Sequence, residues 1–300
     1  MDHLKPHCDP KDFPQLDVYA VVGNPIAHSR SPEIHALFAE QTKQGIHYGK
    51  IYSEMTEFEK NVHDFFSRGG RGLNVTVPFK ERAYLLSQTL TERARAAGVV
   101  NVLWMENGQI HGDNSDGIGL VRDLIRNHVS LNHQKILLLG AGGAAQGVLL
   151  PLLQMKPHSI KVVNRTFSKA QNLVDKFRDL ALVHQVDLTV SEFENLKQDG
   201  PFDLIINATA TGLSQESPLA DGQVSSLVHN PQDSSLTTTA YDMVYGKETK
   251  FLAQMREHHV RTIDGMGMLV EQAAEAFEKW RGPEVIGKLD TSSVLKMLRA

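Results

Sequence analysis

The stretch Leu137-Leu138-Leu139-Gly140-Ala141-Gly142-Gly143-Ala144-Ala145 constrains the fold of this chain more than any other. An aliphatic run stopped by glycines reads as a buried strand turning into a helix. It fits the dinucleotide fingerprint G-x-G-x-x-G/A, with Ala145 in the last slot. Gly140 permits the tight turn, Gly142 lets backbone approach a pyrophosphate, and the small Ala145 lets the helix pack close on the strand. Gly143 and Ala144 open the helix, whose N-terminus offers free N–H groups and a positive dipole end to an anion. The next apolar run, residues 160–163, ends at Asn164, Arg165 and Thr166, with Lys169 just beyond. An enzyme using NAD places a carboxylate there for the ribose 2′-OH. A carboxylate would repel a 2′-phosphate, whereas arginine pairs with it through two N–H bonds. The pattern predicts NADP(H) as cofactor.

A chain of 300 residues has room for about two domains of ~100–200 residues each. With 41% hydrophobic and 22% charged residues it has the balance of a globular protein. A formal net charge of −4 gives no reason to expect nucleic acid as a partner. The single cysteine, Cys8, cannot form an intrachain disulfide, and a reducing cytoplasm is the simplest setting. Residues 136–155 are mostly apolar, but glycines, Gln146 and Pro151 interrupt them, so they read as strand-turn-helix rather than a membrane span. Pro151 is expected to kink that helix. The fourteen histidines are scattered, without H-E-x-x-H or a cysteine pair at zinc spacing, and no metal is expected. Residues 1–16 lack an apolar run and read as a poorly ordered extension rather than a signal peptide.

Along the chain, residues 18–22 form an apolar run stopped by Gly23-Asn24-Pro25, a strand and a turn. Ser31-Pro32-Glu33 starts a helix with a cap and a first-turn proline. Strands are read at 47–52 and 72–77, helices at 56–67 and 91–97, and a hairpin about Asn107-Gly108. This alternation predicts a small, largely parallel α/β sheet. A helix near 115–127 leads to strands near 136–139, 160–163, 187–190, 203–207, 239–243 and 261–263, a doubly wound order. Residues 211–238 are the least regular stretch, and an apolar helix follows Gly265-Met266-Gly267-Met268.

Four further clusters put polar residues at the ends of apolar runs, where an open α/β sheet builds its site. They are residues 24–32 with Ser29 and Ser31, residues 74–80 with Thr76 and Lys80, Val100-Asn101-Val102, and residues 112–117 with Asn114 and Asp116. Each has a plainer reading. Ser31 and Asn114 suit helix caps, Lys80 a solvated surface, Asp116 a helix dipole, and Asn74 and Asn101 turns.

Taken in order, G-N-P-I-A-H-S-R-S-P-x-I-H, N-V-T-V-P-F-K, A-G-V-V-N, G-D-N-S-D-G-I-G, G-A-G-G-A-A, N-R-T, I-N-A-T, Y-D-M-V-Y and D-G-x-G-M-L-V-x-Q-A match one family. The chain resembles shikimate dehydrogenase, the NADP-dependent family of aromatic amino-acid biosynthesis, from about residue 18 to its C-terminus. The resemblance implies that Ser29 and Ser31 hold the shikimate carboxylate, with Tyr241 nearby. It implies that Thr76, Asn101, Asp116 and Gln272 bond the ring hydroxyls, and that Lys80 and Asp116 are the catalytic pair. Ala208, Thr209, Met243 and Gly265 join the fingerprint loop and residues 164–169 on the cofactor. The residue types agree. Oxidising an alcohol needs a hydride acceptor and a group that takes the hydroxyl proton, and a desolvated lysine can take and return one. Val102 and Ala210 depart from the family, which usually has Thr and Ser there, and each removes a hydroxyl.

The expected architecture is α/β with two domains. A discontinuous N-terminal α/β substrate domain covers 17–113, with 266–300 returning to it, and a doubly wound, Rossmann-like NADP-binding domain covers 114–265. The expected partner is a small-molecule substrate, with no membrane, in a monomer or homodimer. Two alternatives are a quinate/shikimate dehydrogenase using NAD and a non-catalytic NADPH-binding regulator on the same scaffold. Arg165 argues against the first, and Lys80 with Asp116 against the second.

Overall fold

In the computed structural model, which describes residues 8–211, 216–220, 222–230 and 236–300, the chain builds two six-stranded sheets in two units. The first unit comprises 1–119 and 269–300, the second 120–268. The boundaries fall inside two helices, Asp116–Arg126 (α5) and Met266–Arg281 (α10).

The first sheet takes β1 (Asp17–Gly23), β2 (Ile46–Tyr52), β3 (Gly72–Val75), β4 (Thr89–Leu90), β5 (Val102–Glu106) and β6 (Gln109–Asp113) in the order β2-β1-β3-β5-β6-β4. It is mixed rather than largely parallel, because β5 runs antiparallel to both β3 and β6. The local cause is the Asn107-Gly108 turn. Both residues have positive φ, 52° and 75°, as a two-residue hairpin requires. Reversing β5 places its first residue beside the last residues of β3 and β6: Val102 stands opposite both Asn74 and Asp113. The carboxyl ends of β1, β3 and β6 and the amino end of β5 therefore share one edge. Leu73, Val75, Leu103 and Ile110 pack with Phe58, Phe65 and Phe79 in the buried core of this unit.

The N-terminal segment differs from its sequence reading. Met1 to His7 lie outside the described residues, but from Cys8 onward the chain is held down. Cys8 is buried and donates its thiol to Lys50 O at 3.0 Å. Asp9 pairs with Arg68 at 2.5 Å, and Phe13 stacks on His47 at 3.7 Å. Burial pushes the Cys8 thiol pKa up to about 12, so it behaves as a small core residue.

His35, on α1 (Ser31–Thr42), is fully buried beneath Tyr48, whose ring stacks on it at 4.1 Å, and near Phe38, Phe277 and Trp280. Burial pushes its pKa from 6.5 down to about 3, opposed only by the Asn74 carboxamide. Between those two values the unfolded chain binds a proton that the folded chain refuses. Stability is full above pH 6.5 and falls as the pH drops toward 3. This group alone is expected to remove about 2 kcal/mol between roughly pH 8 and pH 5. Urea unfolding at the two pH values, compared with His35→Phe, measures it. An identical pH dependence in the variant would overturn the assignment.

The second sheet is wholly parallel. Its strands are β7 (Lys135–Leu139), β8 (Ser159–Val163), β9 (Asp187–Ser191), β10 (Leu204–Asn207), β11 (Thr239–Asp242) and β12 (Arg261–Asp264), in the order β12-β11-β10-β7-β8-β9. The order reverses between β7 and β10, which makes that gap the topological switch point of a doubly wound sheet. Leu137, Leu139, Val163, Ile205 and Ala240 carry the core, as strands covered on both faces require. The helix after β7, α6 (Gly143–Gln154), runs on through the buried Pro151 as one element. No described helix is long and apolar enough to cross a membrane, and no group of metal-ligating side chains occurs among the described residues.

Candidate active site

At the shared edge of the first sheet stand Ser29, Ser31, Thr76, Lys80, Asn101 and Asp116. Backbone bonds lock the edge together: Thr76 N–H donates to Val22 O at 3.0 Å, Val75 N–H to Asn101 O at 2.9 Å, and Asn101 N–H to Asp113 O at 3.0 Å.

Lys80 is the first residue of α3 (Lys80–Leu86), and Asp116 the first of α5. Lys80 Nζ lies 2.5 Å from Asp116 Oδ2, with the side chains only 15% and 7% exposed. The solvated reading of Lys80 therefore fails. The pair is largely desolvated and directional, with the carboxylate at the positive end of a helix dipole. The other oxygen, Asp116 Oδ1, accepts Asn101 Nδ2 at 2.8 Å. Asn101 Nδ2 also reaches Gln272 Oε1, on α10, at 3.2 Å and Ser115 Oγ at 3.0 Å. Behind them Tyr48 Oη donates to Asn74 Oδ1 at 2.6 Å, and Asn74 Nδ2 donates to Asn101 O at 3.2 Å.

The two serines precede and open α1. Its N-cap is Arg30, and no side chain caps it. Ser31 is not the cap the sequence suggested. Instead Ser29 Oγ accepts the Ser31 N–H at 3.3 Å and donates to Ser31 Oγ at 3.2 Å. Two hydroxyls converge at the positive end of a twelve-residue helix, a setting suited to a carboxylate. Thr76 packs its methyl over Gly23, where a Cβ would stand 2.4 Å from it. Asn114, whose plainer reading is a helix cap, does bond the start of α5: Oδ1 accepts Asp116 N–H at 3.1 Å, while Nδ2 donates to Val99 O at 3.1 Å.

Tyr241 does not fit the role implied for it. It is fully buried in β11 and its phenol donates to Asp123 Oδ2 at 2.6 Å, where burial and that carboxylate hold its pKa well above the usual range. Tyr245, in the loop after β11, is half-buried instead. Val102 is buried in β5, and Ala210 is exposed.

In the second unit the cofactor candidates all follow carboxyl ends of parallel strands. The fingerprint loop follows β7, Asn164 to Lys169 follow β8, Ala208 and Thr209 follow β10, Met243 follows β11 and Gly265 follows β12. Gly140 N–H donates to Val163 O at 2.7 Å, Ala208 N–H to Leu139 O at 2.8 Å, Met243 N–H to Asn207 O at 3.0 Å and Gly265 N–H to Val244 O at 3.1 Å. These bonds sew the five loops into one rim.

Gly140 has φ +111°, and a Cβ there would lie 3.0 Å from the Ala208 backbone, so glycine is required twice over. Gly142, the N-cap of α6, has open space where a Cβ would stand. The free N–H groups in the first turn of a helix are the chemistry that suits an anion such as a phosphate. Gly265 has a plain packing cause, since a Cβ would meet Met243 O at 2.4 Å. Arg165, Thr166 and Lys169 are exposed, and Asn164 Nδ2 is tied to Thr166 O at 2.9 Å. Residues 164–166 include no acidic side chain. The loop geometry and charge fit a dinucleotide bearing a 2′-phosphate. A depression of about 460 Å³ beside Phe13, Leu16, Gly45 and Arg71 involves none of these residues.

Residues 21–103 match a family model described as the shikimate dehydrogenase substrate binding domain, residues 123–266 one described as shikimate / quinate 5-dehydrogenase, and residues 265–284 one described as the shikimate 5′-dehydrogenase C-terminal domain. The NADP(+) shikimate dehydrogenase of Janthinobacterium sp. (strain Marseille) is 48% identical over 95% of this chain and 98% of its own. Among solved structures, an Ael1 enzyme from Pseudomonas putida is 41% identical, with a TM-score of 0.79 over 93% of this chain and 97% of its own. The shikimate 5-dehydrogenase of Thermus thermophilus, solved with NADP(H) and shikimate, is 28% identical, with a TM-score of 0.78 over 95% of this chain and 99% of its own.

Proposed function

The chain belongs to the shikimate dehydrogenase family, and from that premise we propose that it catalyses the reversible oxidation of shikimate to 3-dehydroshikimate with NADP+. The observation that carries this reading is the Lys80–Asp116 pair at 2.5 Å, with Asn101 on the second carboxylate oxygen. Bound NADP+ supplies the hydride acceptor. This chain's own residues do the rest.

Ser29 and Ser31 grip the carboxylate as neutral donors at the α1 N-terminus. Thr76, Asn101, Asp116 and Gln272 meet the ring hydroxyls. As the C–H hydride leaves the carbinol carbon, the hydroxyl proton passes to the Lys80–Asp116 pair and the C–O bond becomes a ketone. In reverse, the pair returns that proton to the ketone oxygen. Gly142 and the α6 N-terminus would hold the pyrophosphate, and Arg165, with Asn164, Thr166 and Lys169, would hold the 2′-phosphate.

The direct test is formation of reduced nicotinamide with shikimate and with quinate, each with NADP+ and NAD+. Shikimate with NADP+ is expected to give the highest kcat/KM. Preference for quinate or for NAD+ would overturn the assignment. Ser31→Ala is expected to raise the KM for shikimate about five- to tenfold with little change in kcat, the signature of a lost binding hydrogen bond. A lowered kcat at unchanged KM would remove Ser31 from carboxylate binding.

A further inference from the structure

Ser115 is buried between the proposed catalytic and binding residues, with no exposed surface, and has no part in the mechanism above. Its backbone N–H donates to Asn101 Oδ1 at 2.8 Å. A backbone donor cannot rotate, so the Asn101 amide is pinned with Nδ2 toward the carboxylate. The two N–H bonds of that nitrogen face three acceptors: Asp116 Oδ1 at 2.8 Å, Ser115 Oγ at 3.0 Å and Gln272 Oε1 at 3.2 Å. The Ser115 hydroxyl, which can swing, is itself 3.3 Å from both Gln272 Oε1 and Asn101 Oδ1.

We propose that Ser115 is a positioning residue whose hydroxyl takes over Gln272 Oε1 when the substrate claims an Asn101 N–H. The count of donors requires such a partner. Without ligand, Asn101 can serve Asp116 and Gln272 together. Once a ring hydroxyl takes the N–H that Gln272 Oε1 uses, that oxygen, in a side chain only 8% exposed, loses its Asn101 donor and has the Ser115 hydroxyl, 3.3 Å away, as the protein donor still in reach. A stranded buried acceptor weakens binding, and the rotating hydroxyl removes that penalty. Alanine at 115 keeps the backbone N–H, and with it the Asn101 orientation, but loses the exchange.

This inference rests on the shikimate reading, and the first arm of its test is oxidation of shikimate with NADP+ by the unmodified enzyme. No activity there overturns both. With activity present, Ser115→Ala is expected to raise the KM for shikimate about five- to twentyfold with kcat within about twofold, since the lost interaction is one of binding. Ser115→Thr, which keeps a hydroxyl, is expected to restore most of the affinity. In a Gln272→Leu background there is no acceptor to relieve, and Ser115→Ala is expected to add nothing. A merely structural role would lower thermal stability without that coupling. If Ser115→Ala fails to fold, Ser115→Cys, whose thiol is a weak donor, carries the same expected KM rise. Unchanged KM, or the same KM ratio in both backgrounds, overturns the proposal and leaves the reaction assigned.

Discussion

Lys80→Ala is expected to lower kcat by about 10²–10⁴-fold, the usual worth of a general acid–base group, with a much smaller change in KM. Lys80 touches Asp116 at 2.5 Å and is largely shielded from water, so bulk buffer cannot readily replace it. Two effects could produce such a loss, proton transfer and electrostatic support for Asp116, and Lys80→Arg separates them. Arginine keeps the positive charge and a bond to the carboxylate but does not release its proton in this pH range. If proton transfer is the role, Lys80→Arg is nearly as slow as Lys80→Ala. A Lys80→Arg enzyme within about tenfold of normal kcat would show that charge alone is needed. Removing Lys80 also strands a carboxylate that is 7% exposed, a change that destabilises. Thermal unfolding of each variant is the control, and the kcat comparison belongs at temperatures where both remain folded.

Much of this arrangement is legible in the sequence because buried parallel strands read as unbroken aliphatic runs. Leu137 to Leu139, Ile205-Ile206 and Val162-Val163 announce themselves, and the polar residues that follow each run sit on the rim by topology. What stays hidden has a physical cause in each case. The two-residue β4 is too short for a pattern, and α3 buries only Ala83 and leaves Leu85 80% exposed, so no apolar stripe marks it. Tyr241 reads as a motif tyrosine because its partner, Asp123, lies 118 residues away. Ser115 stands inside a conspicuous motif, yet its role depends on Gln272, 157 residues on. The N-terminal segment is polar and proline-bearing, and only its contacts with Lys50, Arg68 and His47 reveal that it is packed. Local pattern carries the elements and their ends. Long-range polar pairing, which decides which hydroxyl or carboxylate remains available to a ligand, has no local signature.

On the proposed function, Arg165 is expected to determine cofactor choice. It follows β8, beside the fingerprint loop that Gly140 N–H ties to Val163 O at 2.7 Å, and its side chain is exposed. A guanidinium there can pair with a 2′-phosphate through two charge-assisted bonds, typically worth about 1.5–3 kcal/mol. Arg165→Ala is therefore expected to weaken NADP+ by roughly ten- to a hundredfold while leaving NAD+, which lacks that phosphate, almost unchanged. Thr166 and Lys169 flank the position and are expected to leave a residual preference for NADP+. Asn164→Asp, added to Arg165→Ala, introduces repulsion toward the phosphate and a carboxylate for the ribose 2′-OH, so it is expected to carry the enzyme across to NAD+. The measurement is kcat/KM for both cofactors at saturating shikimate in the unmodified enzyme and both variants. Equal weakening of the two cofactors would mean that Arg165 supports the loop rather than the phosphate. The Asn164 Nδ2 bond to Thr166 O at 2.9 Å supplies the internal check. That bond shapes the loop without Arg165, so the loop is expected to survive Arg165→Ala and the loss to fall on NADP+ alone.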